Sequence, residues 1–177
     1  MVMNNRFIES YSAIYKKIYE KYHPTVPQLK PSLINHVNPK VNIEDPIFRA
    51  IMDDDLKTFI LLTEMESFDK NKTLSSGIYP YNNKRYTLLE ICSYQGAANC
   101  FKFLRTEYES KITDICLGLS FLGGNADIIS ECLKYQKPND ICMKYAIASH
   151  NIDFVTFLMN EHQLGIKIDS CCHYNNL

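Results

Sequence analysis

The chain has 177 residues, 46% of them hydrophobic and 22% charged, which suits one folded domain or one short repeat array and excludes a disordered chain. A net charge of −1 gives no global field for nucleic acid or an anionic membrane, and no apolar stretch is long enough to span a bilayer. Six glycines leave too few turn signals for a β-sandwich. Arg6 and Glu9 arrive before a signal-type apolar core could form. The seven cysteines are therefore expected as reduced thiols in a cytoplasmic protein, with a nuclear address still open.

Residues 4–22 are expected to form a helix, because Phe7, Tyr11, Ile14, Ile18 and Tyr22 fall on one face, widened by Ile8, Tyr15 and Tyr19. Pro24 stops it. Pro24, Pro27, Pro31, Pro39 and Pro46 then forbid another long helix. Residues 1–44 thus read as an N-terminal helix and linker, 45–170 as a repeat region and 171–177 as a tail. Residues 1–50 hold seven Lys/Arg against four Asp/Glu, and the remainder twelve against sixteen.

From Pro46 onward the chain repeats itself. Four windows align without gaps: Ile47–Leu62, Leu89–Leu104, Leu117–Cys132 and Met143–Leu158. Each opens on a large apolar residue and carries a small one three positions later: Ala50, Cys92, Ser120 and Ala146. Four residues further stand Asp54, Gly96, Gly124 and His150, expected at a tight turn with a left-handed backbone. Asp55, Asn125 and Asn151 are expected N-caps of a second helix, with Ala97 the exception. That helix bears an apolar stripe through Phe59, Phe101, Ile129 and Val155. One such helix pair cannot bury its faces alone, so stacking is expected. The turns are 42, 28 and 26 residues apart, which places an insertion between Thr63 and Arg85.

Thr87 to Cys92, then Gly96, then Phe101 to Leu104, resemble the ankyrin consensus Thr-Pro-Leu-His-x-Ala…Gly…Ile-Val-Lys-Leu-Leu, with Leu88 in place of Pro and Glu90 in place of His. The degenerate form is similar to an ankyrin-like domain of unknown function expanded in trichomonad-type parasitic protists. The resemblance implies an all-α fold: a short solenoid of about four helix-turn-helix repeats with finger-like hairpins. It also implies protein binding through the fingers and the inner helix face. Loss of the Thr-Pro-Leu-His motifs implies loss of the hydrogen bonds that lock the inner helices.

Little in the sequence suggests chemistry. Cys92, Cys100, Cys116, Cys132 and Cys142 sit at or beside apolar repeat positions and read as core. Cys171-Cys172-His173 lacks the second ligand pair that zinc requires. Asp53-Asp54-Asp55 reads as a turn and helix start rather than a cation site. Gly123-Gly124 joins two helices and is no phosphate loop. No catalytic group, cofactor or metal is expected.

The expected function is therefore a non-enzymatic scaffold or adaptor that binds another protein, with neither nucleic acid nor membrane as partner. Its candidate contacts are Tyr79, Tyr81, Lys84, Arg85 and Tyr86 on a finger hairpin, with strands Ile78–Tyr81 and Arg85–Thr87. On the inner helix face they are Arg49, Met52, Tyr94, Gln95, Lys144 and Tyr145. Phe154, Phe157 and Leu164 are expected to be partly uncovered after the last pair, so self-association through the C-terminal repeat is the alternative.

Overall fold

A computed structural model describes residues 45–75, 79–80 and 84–173, the last two as backbone only. The expected N-terminal helix, its linker and Tyr81 lie outside the described residues. Within them the chain is all-α apart from one two-stranded ribbon.

Four helix pairs follow one another, each pair spanning its repeat window. They are α1 (Pro46–Met52) with α2 (Leu56–Thr63), and α3 (Leu88–Gln95) with α4 (Ala98–Glu107). Then come α5 (Asp114–Gly123) with α6 (Ala126–Leu133), and α7 (Asp140–Ala148) with α8 (Ile152–His162). Helices of seven to eleven residues do not persist alone in water. Here they form two layers: α1, α3, α5 and α7 pack in sequence, and α2, α4, α6 pack beside them. A further short helix, α9 (Ile168–His173), packs on α7, so one additional helix follows the fourth pair.

The small residues recur in register. Ala50, Cys92, Ser120 and Ala146 are all buried, the last three completely or nearly so. A small side chain there lets successive inner helices approach. At the end of α5 the approach to α3 is close: a Cβ added to Gly123 would lie 2.1 Å from the Ser93 carbonyl oxygen.

The turns follow the sequence pattern. Asp54, Gly96, Gly124 and His150 have φ of 49°, 71°, 70° and 55°. Asp55, Asn125 and Asn151 each accept hydrogen bonds from the first turn of the next helix. Ala97 cannot cap, and the preceding repeat supplies the cap instead. Asp54 accepts from the Asn99 backbone N–H at 3.2 Å, the Cys100 N–H at 3.0 Å and the Asn99 side chain at 3.0 Å. The middle member of the acidic run thus serves a neighbouring helix N-terminus, where the dipole favours an anion.

A carboxylate replaces the expected loss of locking hydrogen bonds. Thr87 and Glu90 form a reciprocal capping box at the start of α3. The other oxygen of Glu90 accepts from the Thr113 hydroxyl at 2.9 Å, and Thr113 is itself the N-cap of α5. A buried Glu therefore ties the starts of two successive inner helices together.

Candidate interaction surface

Among the described residues the insertion between the first two pairs forms a ribbon with a different first strand from the expected one. Its ribbon pairs β1 (Thr73–Leu74) with β2 (Tyr86–Thr87), Thr73 opposite Thr87 and Leu74 opposite Tyr86. The first strand therefore lies earlier in the chain than Ile78–Tyr81. The reason is aromatic burial. Tyr79 is 2% exposed and Tyr86 fully buried. The Tyr79 ring meets Tyr86 at 4.8 Å, Tyr94 at 5.0 Å and Phe48 at 6.4 Å between centroids. Two tyrosines that alternate with polar residues in sequence can serve a core as well as a tip, and burial of ring area decides here. Desolvation raises the Tyr79 hydroxyl pKa well above its ordinary value.

The remaining hairpin residues are more open. Arg85 is exposed, but it donates to the Thr73 hydroxyl at 2.7 Å and the Thr73 carbonyl at 2.9 Å, clamping the ribbon. Lys84 is half-buried, its ammonium 5.8 Å from the Tyr86 ring centre. Of the inner-helix candidates, Arg49 and Lys144 are exposed, while Met52, Tyr94 and Gln95 are half-buried. Tyr145 is 5% exposed and packs against Gly118 of α5, so it is core. The structure therefore separates the eleven candidates: three are core, one lies outside the described residues, and the others are spread over α1, α3, α7 and the ribbon.

The inner helices do form a cleft that the sequence pattern missed. A cavity of about 30 Å³ opens between α5 and α7, lined by Ile115, Gly118 and Leu119 on one side and Ile141 and Tyr145 on the other. Tyr86 also lines it, and Asp114 and Asn139 add polar groups. Asp114 and Ile141 are exposed. Sites for cofactors run to several hundred Å³, so this space suits the tip of one inserted side chain. Gly118 was the available signal: a glycine inside an apolar helix removes a side chain from a packed face. Its Cβ would stand 3.5 Å from Ile141 and Tyr145, so the missing methyl is what opens the cleft.

The thiols behave as core. Cys92, Cys100, Cys116, Cys132 and Cys142 are buried and unpaired. Burial raises the pKa of each, that of Cys100 to about 12, so the nucleophilic thiolate is suppressed. Cys171 is half-buried on α9. Among the described residues no three His, Cys, Asp or Glu converge as metal ligands, and no helix is long and apolar enough to cross a membrane.

Comparison with known proteins gives one match. A family described as a domain of unknown function (DUF3447) matches residues 108–177, the part that carries α5 to α9. No curated protein and no solved structure matches the chain.

Proposed function

We propose that the protein is a non-enzymatic interaction module, an ankyrin-like solenoid that binds another protein through the exposed side of its inner helices. The observation that carries this reading is the cleft between α5 and α7. It presents Ile115, Gly118 and exposed Ile141 beside the polar groups Asp114 and Asn139. An apolar notch within a polar rim is the usual anatomy of a binding hot spot. The stacked helix pairs support the ankyrin-like reading. Among the described residues the hairpin contributes through Arg85 and Lys84, since Tyr79 and Tyr86 are spent on the core. The partner is a soluble protein in the cytoplasm.

The test compares cross-linked partners of the wild-type chain and an Ile115→Asp, Ile141→Asp variant. The expected result is loss of a specific partner with an unchanged melting temperature. An identical partner profile would remove the cleft as the site.

A second reading, self-association through the C-terminal end, has its own observation. Ile152, Met159, Ile166 and Ile168 are 70%, 42%, 43% and 74% exposed there, and Phe154, Phe157 and Leu164 are half-buried as the sequence suggests. Asp153, Glu161 and Asp169 oppose it by like charge. Light scattering at low and high salt separates the readings: a monomer in both excludes self-association.

A further inference from the structure

Side chains of the outer segments meet across successive pairs. Phe59 of the first pair meets Phe103 of the second, with ring centroids 6.0 Å apart. Arg105 of the second pair lies over Tyr135 of the third at 4.8 Å. Counted from the first residue of each repeat window, position 13 of the first pair meets position 15 of the second, and position 17 of the second meets position 19 of the third. In the first pair, positions 15 and 19 are Leu61 and Met65, and they are 59% and 55% exposed. They stand at the positions that, in the second and third pairs, receive a contact from the pair before.

We propose that the chain's own residues 4–22 cover Leu61 and Met65 as an N-terminal cap on the stack. Leu61 and Met65 are apolar residues four apart, and the segment offers apolar pairs at the same spacing: Phe7–Tyr11, Tyr11–Tyr15, Ile14–Ile18 and Ile18–Tyr22. Charge agrees. Residues 4–22 carry Arg6, Lys16, Lys17 and Lys21 against Glu9 and Glu20. Besides Asp54, which caps α4, residues 53–70 carry five carboxylates against Lys57 and Lys70. The linker of residues 23–44 reaches easily, since a Pro-containing chain spans about 3 Å per residue and adjacent helices lie only about 10 Å apart.

A second copy is the poorer occupant. Its C-terminal end does offer Val155 and Met159 at positions 13 and 17. That end also carries Asp153, Glu161 and Asp169, so two acidic surfaces would meet. Its inner-helix place is already taken by α9 on α7.

Hydrogen exchange of the full chain, read by mass spectrometry, tests the cap. Peptides from residues 4–22 are expected to exchange roughly tenfold or more slowly than an unstructured chain. Leu61→Asp with Met65→Asp should restore the unstructured rate while residues 88–162 keep their protection. The helix pairs themselves do not bury either side chain, so global unfolding is not the expected effect. Lys16→Glu with Lys17→Glu leaves the apolar stripe intact and should speed exchange at low salt. Unstructured exchange of 4–22 in the wild-type chain overturns the proposal. So does protection that survives Leu61→Asp with Met65→Asp, that is lost instead on Met159→Asp, or that vanishes on dilution as a copy-to-copy contact would.

Discussion

At the scale of single residues, the stack depends on side chains acting across repeat boundaries. Asp54 sits at a left-handed turn of its own pair yet caps α4 of the next. Asp54→Ala leaves two N–H groups at that helix start without their partner and keeps the unfavourable positive φ. The expected loss is about 1–2 kcal/mol by urea denaturation. Asp54→Asn keeps one acceptor and the turn preference and should recover most of that loss. If alanine and asparagine prove equal, the interlayer cap contributes nothing. Two glycines of α5 have opposite expectations. A methyl at Gly123 would collide with the Ser93 carbonyl at 2.1 Å, a backbone atom that cannot rotate aside, so Gly123→Ala should destabilise by about 3 kcal/mol. At Gly118 the same methyl meets only ordinary contacts at 3.5 Å, so Gly118→Ala should stabilise by about 0.5–1 kcal/mol. If the cleft is the binding site, this second variant should also weaken partner capture, since it fills the notch.

At the scale of elements, what the sequence made legible was what is local or strictly repeated. The four helix pairs, the four left-handed turns and the three capping side chains all follow from residue type at a fixed spacing. The fate of the insertion was not legible in the same way. Tyr79 and Tyr86 alternate with polar and basic residues, a pattern that suits a contact ribbon and a buried cluster equally. The choice is made by Phe48 and Tyr94, which come from two different helices and whose proximity no local pattern encodes. Glu90 was misread for the same reason. In sequence it is a departure from a motif; in the fold its second oxygen finds Thr113, 23 residues away. The cleft at Gly118 was invisible because its opposite wall, Ile141 and Tyr145, comes from the next inner helix.

At the scale of the whole molecule, a shared thiol environment sets the response to pH. Five cysteines from α3, α4, α5, α6 and α7 are buried, and desolvation raises all five thiol pKa values. An unfolded chain loses these protons near the ordinary value of 9.0, whereas the folded chain holds the Cys100 proton up to about 12. Above pH 9 the unfolded state therefore binds fewer protons than the folded state, and linkage lowers stability as pH rises. The contribution is intact below pH 9 and declines from there upward. The melting temperature should hold steady between pH 7 and 8 and fall progressively from pH 9 to 11. Replacing Cys92, Cys116 and Cys132 together by Ala should flatten that alkaline slope, although the mutant starts less stable because each removal leaves a small cavity. A slope unchanged by the triple substitution would assign the alkaline effect to other groups. Because the thiols are distributed through successive layers, their modification also reports cooperativity. A thiol reagent at pH 8 should label the five at one common rate if the stack opens as a unit, and in a graded order along the chain if the layers open one by one from an end.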